Sequence, residues 1–82
     1  MLYFFIIESI NGDIEEFGAT EIRERAIDKL LEWASDNGIS LDEADTTAEI
    51  YVENDDEGEY ISKIIDDEMG KAQIMTCELE DF

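Results

Sequence analysis

The feature that most constrains what this chain can fold into is its charge. Its 82 residues include 24 Asp and Glu against five Lys and Arg, with no His, so the formal charge at pH 7 is −19. Self-repulsion on this scale opposes compaction, and the charge exceeds the roughly 2 to 8 units that keep a small domain soluble. Such a chain folds only where apolar burial outweighs the repulsion.

The apolar content is high enough to supply that burial. Hydrophobic residues make up 44% of the chain and include Trp33, four Phe and three Tyr, arranged in short runs between turn signals. Disordered chains of high charge are poor in such residues, whereas this composition is typical of globular domains. We therefore expect a single compact domain over 1–82, of modest stability that depends on salt.

The first half of the chain predicts a hairpin followed by a helix. The β-branched and aromatic run Leu2 to Ile7 reads as a strand, and Asn11-Gly12-Asp13 supplies a reversal. Residues 14–17 form the short return strand, which Gly18 is expected to end. Thr20 then offers an N-cap for the only long helix, predicted from Glu21 to about Asn37 and closed by Gly38.

The helix carries a broad apolar face for packing against a sheet. At 100° per residue, four apolar residues share one sector: Ile22, Ala26, Leu30 and Trp33. Arg23 falls in the same sector, and we expect it to be an edge residue whose long stem brings the charge to solvent.

The second half predicts three more strands. Alternation at Ala48, Ile50 and Val52 marks one strand, and residues 54–58 form a turn with Gly58 in a left-handed position. We favour a strand for 59–66, although its Tyr and Ile spacing also permits a helix. After a turn at 67–70, a last strand covers about 71–79. The expected fold is α+β, an antiparallel sheet with one main helix in the order ββαβββ.

That architecture leaves one face of the sheet without a cover. The side chains of the first strand alternate across the sheet, yet both sets are apolar, and one helix covers one face. A homodimer is the most economical cover, because a two-fold contact buries the same apolar set twice. The alternative is that the terminal segments or the acidic connection after the helix fold over it.

Catalysis and specific metal binding are not expected. Without His there is no imidazole base and no Ser-His or Cys-His pair, and no glycine-rich phosphate loop is present. Aligning Gly12 with the glycine of an EF-hand loop places Ile7 and Gly18 where calcium ligands belong, so that register fails. We predict no enzyme activity, no cofactor and no metal site.

The remaining sequence signals concern the compartment. The lone Cys77 excludes an internal disulfide and is expected to be a small buried strand residue. The run Leu2 to Ile7 lacks the basic flank and cleavage site of a signal peptide and is too short to cross a bilayer. The expected location is the cytoplasm.

The distribution of the acids indicates a surface for a basic partner. On the helix, Glu24, Asp28 and Glu32 form an i, i+4 row in which like charges oppose helix formation. Between 42 and 68, acids cluster in the connections and turns with Lys63 as the only base. The candidate partner-binding residues are Glu24, Asp28, Glu32, Asp42, Glu43, Asp45, Asp55, Asp56, Glu57, Glu59, Asp66, Asp67 and Glu68.

Carboxylate rows of this kind resemble a phosphate backbone. Side chains at i, i+4 lie roughly 5 to 6 Å apart at Cβ, comparable to successive phosphates along a nucleic-acid strand. A folded domain with such rows suits the basic groove of a nucleic-acid-binding protein, where it competes with DNA or RNA. Direct binding to nucleic acid is not expected, because two polyanions repel each other.

This profile resembles the small acidic proteins that phages use against host defences, namely DNA-mimic antirestriction proteins and acidic anti-CRISPR inhibitors. The resemblance lies in size, charge, the absence of His and the acidic rows, and includes no alignable motif. It implies an inhibitor, acting in the host cytoplasm, of a restriction enzyme or a CRISPR effector. Two alternatives stay open: an acidic adaptor or regulatory protein that does not compete with nucleic acid, and a domain with general, halophile-like acidity.

Overall fold

A computed structural model describes residues 1–42 and 47–78. They form five strands and one helix: β1 (Leu2–Glu8), β2 (Ile14–Thr20), α1 (Arg23–Asp36), β3 (Glu49–Asp55), β4 (Gly58–Asp66) and β5 (Gly70–Cys77). All strand pairs are antiparallel, and the order across the sheet is β2-β1-β5-β4-β3. The predicted α+β class and the order ββαβββ are confirmed.

The core lies between α1 and one face of the sheet. In β1, Tyr3, Phe5 and Ile7 alternate with half-buried residues and point toward the helix. The helix contributes Ala26, Leu30, Trp33 and Ala34, and β4 and β5 add Tyr60, Ile64, Ala72 and Ile74. Because the helix covers this face alone, the buried residues of β1, β4 and β5 recur with a period of two.

The segment 58–66, which the sequence left between strand and helix, is the strand β4. Tyr60, Ser62 and Ile64 are buried on the helix side, between β3 and β5. Glycines with positive φ are the first residues of β4 and β5, at Gly58 (φ 123°) and Gly70 (φ 118°). Sheet pairing on both sides therefore overrides the local helical spacing.

Two boundary predictions around β2 were wrong. Gly18 does not end the strand, which continues to Thr20 because it pairs with β1 along its whole length. The ring of Phe5 packs over Gly18, where an added Cβ would lie 2.7 Å from the ring. The helix consequently begins at Arg23, its N-cap residue Ile22 makes no side-chain cap, and the Thr20 hydroxyl accepts the Ile22 N–H.

The last strand also differs from the prediction. β5 ends at Cys77, which is exposed and not buried as predicted, because it lies opposite Leu2 on the sheet face that the helix does not cover. The predicted end at Leu79 lies outside the described residues.

The second face of the sheet, which we call the open face, is mostly apolar on β1 and β2 and mixed on the other strands. Cross-strand rows place Ala19, Phe4 and Met75 side by side, with Phe17, Ile6 and Gln73 in the next row. On β3 and β4 the face continues through Val52 opposite Ile61 and Tyr51 opposite Lys63. Within the described ranges, α1 is the one helix, and it lies on the other side.

Candidate acidic interface

The exposed side of α1 carries the acidic row predicted from the sequence. Glu24, Asp28 and Glu32 are all exposed, and Asp36 continues the row at the end of the helix. At 1.5 Å of rise per residue the four span about 18 Å. No base occupies the last turn, so the carboxylate of Asp36 faces the negative end of the helix dipole without compensation.

The β3–β4 hairpin docks against the beginning of this row through Arg23. The Arg23 Nη1 lies 2.7 Å from the Asp55 Oδ1, and its Nε lies 3.5 Å from the Glu57 Oε2. Its Nη2 is 3.9 Å from the Glu24 Oε1. Because one guanidinium contacts acids of both elements, the hairpin tip at Asp56 and Glu57 lies beside the first carboxylate of the helix row.

The other end of the row lies beside the β4–β5 turn. Asn37, Gly38 and Ser40, just after the helix, line a shallow groove together with Asp66 and Glu68. The Asp66 carboxylate accepts hydrogen bonds from the backbone N–H groups of Glu68 and Met69. Asp66 therefore forms the turn, while Asp67 and Glu68 are exposed at its tip.

We call the exposed acids of the helix row, together with those of the two turns near its ends, the acidic stripe. Its members run from the hairpin tip along the helix to the β4–β5 turn: Asp56, Glu57, Glu24, Asp28, Glu32, Asp36, Asp67 and Glu68. The nine residues of β4 separate the two turns, a distance of roughly 26 Å at about 3.3 Å per residue, and with the turns the stripe is about 30 Å long.

The remaining predicted residues lie elsewhere or are engaged within the fold. The Asp55 side chain is 17% exposed, and its carboxylate also accepts the Glu57 N–H at 2.8 Å. Glu59 lies opposite Asn54 on the open face. Asp42 is exposed beyond the helix, whereas Glu43 and Asp45 lie outside the described residues.

Sequence reasoning missed two acids beside the stripe, Glu15 and Glu16 on β2. The register slips between Ile7 and Glu8, so that Glu8 lies opposite Ile14 and Ile7 opposite Glu16, which leaves Glu15 in a bulge. Both carboxylates line a groove beside Glu32 and Asp36 on the helix side. The adjacent Glu-Glu pair was visible in the sequence, but nothing local predicts the bulge.

Besides Arg23, two bases lie near the stripe, and their positions leave its centre negative. Lys29 is drawn to the β2 edge, where its Nζ lies 3.2 Å from the Glu16 Oε1. Arg25 is exposed on the helix between the acids of the row. The exposed helix side thus sets four acids against one base.

The negative charge at the hairpin end also raises the pKa values of two buried tyrosines. Burial, followed by the neighbouring Asp55 and Glu57 carboxylates, raises the pKa of Tyr3. Burial and the Glu53 carboxylate likewise raise the pKa of Tyr60. Both rings stay neutral at physiological pH, and Arg23 lies 5.4 Å from the centroid of the Tyr60 ring.

The described residues hold no grouping of three or more His, Cys, Asp or Glu side chains with the geometry to bind a metal ion. Over the same part of the chain, no helix is both long and apolar enough to span a membrane.

Comparisons with protein-family models, curated protein sequences and solved structures give no match. The fold and the surface charge thus define the class of this protein: a small α+β domain with an extended acidic stripe.

Proposed function

We propose that the protein is an inhibitor that places its acidic stripe in the basic nucleic-acid-binding groove of a host protein. The observation that carries the proposal is the alignment of the helix row with the acidic turns at both of its ends. Lys and Arg that otherwise contact phosphates pair with these carboxylates, and opposite fields accelerate the encounter. A restriction enzyme or a CRISPR effector is the kind of target that the resemblance implies.

The dimensions of the stripe support this proposal. A length of about 30 Å corresponds to roughly nine base pairs at 3.4 Å each. Carboxylates on successive helical turns lie roughly 5 to 6 Å apart at Cβ, close to the spacing of phosphates on one strand. The helix fixes these side chains on a packed element, so little order has to be gained on binding.

The placement of charge within α1 also favours a binding role. Like charges at i, i+4 cost a few tenths of a kcal/mol per pair, and an acid in the last turn opposes the helix dipole. The first cost applies to the three successive pairs of Glu24, Asp28, Glu32 and Asp36, and the second to Asp36, whereas Glu24 in the first turn is favourably placed. A row of acids kept at the expense of stability is typical of a surface selected for a partner.

The direct test is capture from a host lysate, followed by competition with nucleic acid. Immobilised protein is incubated with lysate at low and at high salt, and captured proteins are challenged with duplex DNA or guide RNA. The proposal expects a basic nucleic-acid enzyme that is released by nucleic acid and by salt. Retention in the presence of nucleic acid supports the adaptor alternative, and the absence of any salt-sensitive partner contradicts both.

A matched pair of variants assigns the effect to the stripe. Asp28→Asn with Glu32→Gln removes two charges from its centre and leaves Glu24 beside Arg23. Glu49→Gln with Glu59→Gln removes the same charge from the open face, where both residues are exposed. We expect the first pair to weaken partner binding on the order of tenfold and the second pair to change it little. Equal effects would indicate that net charge alone drives binding.

A further inference from the structure

We propose that the open face is the contact surface for a second copy of this chain, packed face to face about a two-fold axis. The proposal does not depend on the acidic stripe, which lies on the other side of the sheet. The proposal is supported by the shape, the charge and the area of the open face.

The open face contains both a protrusion and a recess. The Phe17 side chain on the edge strand β2 is 74% exposed, the largest exposure of any large hydrophobic side chain in the described ranges. The same side chain forms one wall of an apolar groove of about 350 Å³, whose other lining residues include Phe4, Ile6, Ile14 and Ala19. A two-fold contact requires that one patch carry both complementary shapes, because each copy offers the same surface. Phe17 of one copy therefore has a recess of matching chemistry on the other.

The charge on the open face favours a second copy over a basic partner. Two of the five bases of the chain lie here, Lys63 and Lys71. Lys71 Nζ is 3.5 Å from the Glu8 Oε2, and Lys63 Nζ is 5.4 Å from the Tyr51 ring centroid.

The acids of this face stand near strand ends, at Glu8, Glu49 and Glu59, so its centre is close to neutral. A basic protein gains no attraction there. A second chain of charge −19 meets its weakest repulsion there.

The area is sufficient for a specific dimer. Five strands at about 4.8 Å and seven residues at about 3.3 Å give a projected face of roughly 550 Å². Two faces bury about 1,100 Å² in projection, above the roughly 1,000 Å² that a specific interface needs. The exposed apolar side chains Met75, Val52 and Phe17 raise the accessible area further.

The proposed dimer has a salt dependence opposite to that of the proposed inhibitor complex. The copies carry like charges, so added salt reduces their repulsion and strengthens self-association. Binding to a basic groove weakens as salt rises. Added salt therefore changes the two measured affinities in opposite directions. Either proposal can be disproved while the other holds.

The test is the molar mass of the full chain by sedimentation equilibrium, across a concentration series at 0.05 and 0.5 M NaCl. Phe17→Glu places a charge at the protruding residue of the expected contact. Ile22→Glu adds the same charge at a residue that is 48% exposed just before α1, on no strand of the sheet. We expect a dimer in the wild type that strengthens with salt, a dissociation constant raised at least tenfold by Phe17→Glu, and little change with Ile22→Glu.

Circular dichroism checks that both variants are folded, and Met75→Glu repeats the test from β5 if Phe17→Glu is not. A chain that is monomeric at every concentration and at both salt levels overturns the proposal and leaves the face to a different occupant. A dimer that survives a charge at both Phe17 and Met75 also overturns it, because such a dimer uses another surface.

Discussion

The Arg23 guanidinium, in the first turn of α1, lies 2.7 Å from the carboxylate of Asp55 at the end of β3. The same side chain donates hydrogen bonds to the backbone carbonyls of Gly58 at 3.2 Å and Glu57 at 3.3 Å. Its exposure is 10%, so the contact excludes most solvent. One cation thereby joins the helix to the β3–β4 hairpin and sets the position of the hairpin tip in the acidic stripe.

Removing the charge of Asp55 is expected to destabilise the fold. Its carboxylate accepts hydrogen bonds from Arg23, the Glu57 N–H and the Tyr3 hydroxyl. Asp55→Asn weakens these contacts, and we expect a loss of about 2 kcal/mol in the free energy of unfolding, measured by urea denaturation. The control is Asp56→Asn on the exposed neighbour, which should leave stability unchanged or slightly higher. Equal losses in both variants would show that Arg23 does not depend on Asp55.

The glycines that begin β4 and β5 should differ in how much stability an alanine substitution costs. Gly58 and Gly70 have similar positive φ values, 123° and 118°, but a Cβ at Gly58 meets nothing within 4 Å. At Gly70 the Cβ would overlap the backbone carbonyl oxygen of Glu8. We expect Gly58→Ala to cost about 1 to 2 kcal/mol from backbone strain, and Gly70→Ala to cost more than 3 kcal/mol. Thermal denaturation of both variants tests this order of stability losses. A larger loss in Gly58→Ala than in Gly70→Ala would contradict the prediction.

Salt should stabilise the folded chain. With a formal charge of −19, repulsion between carboxylates opposes the compact state, and added ions screen it. Between 0.05 and 0.5 M NaCl we expect a gain of about 1 kcal/mol, or roughly 4 to 8 °C in Tm for a domain of this size. Calorimetry at dilutions that exclude self-association checks it. A Tm that falls with salt would mean that the few ion pairs outweigh the repulsion.

Neutralising the centre of the helix row should increase stability slightly. Asp28→Asn with Glu32→Gln removes repulsion between neighbours four residues apart, and we expect a gain of a few tenths of a kcal/mol. The same variant is expected to lose partner binding, so folding and binding change in opposite directions. A loss of stability would indicate contacts of these carboxylates within the fold.

Stability should decline at alkaline pH because of two tyrosines. The pKa of Tyr3 and that of Tyr60 are raised above the ordinary 10.0, chiefly by burial. The unfolded chain loses these protons near pH 10 while the folded chain keeps them, so their stabilisation is complete below pH 10. It is lost as the pH rises from there through the folded pKa. Denaturation at a series of alkaline pH values measures the slope, and Tyr60→Phe should reduce it; an unchanged slope would assign the decline to other groups.

Local sequence patterns predicted the strands and turns correctly where neighbouring residues determine the structure. They failed where a contact with a residue far along the chain determines it. Gly58 and the apolar alternation marked the hairpins and strands, because positive φ and a period of two are local properties. In β3 the alternation itself fails, because a register shift after Tyr51 places Val52 on the open face and Ile50 on the helix side. The role of Gly18 was not local, since the ring of Phe5 on the neighbouring strand covers it. Arg23 was expected at an edge in solvent, but its partner Asp55 is 32 residues away.

The candidate site shows the same limit. Glu24, Asp28 and Glu32 were identified correctly as one exposed row because helical spacing alone places them together. Asp55 and Asp66 carried the same sequence signal as their exposed neighbours, yet ion pairing and turn formation engage them within the fold. Glu59 falls on the open face because of its register in β4, which depends on pairing with β3.

The central seam of the sheet pairs β1 with β5, with Leu2 opposite Cys77. On the ribosome these partners are made at very different times, so the most apolar strand pairs with β5 only after β2, α1, β3 and β4 have been translated. Until then its aromatic and β-branched residues have only β2 and the helix as partners, in a chain that is liable to aggregate. Like charges on the segments made in that interval repel other copies of the chain, so the charge that opposes compaction also opposes aggregation before β5 is made.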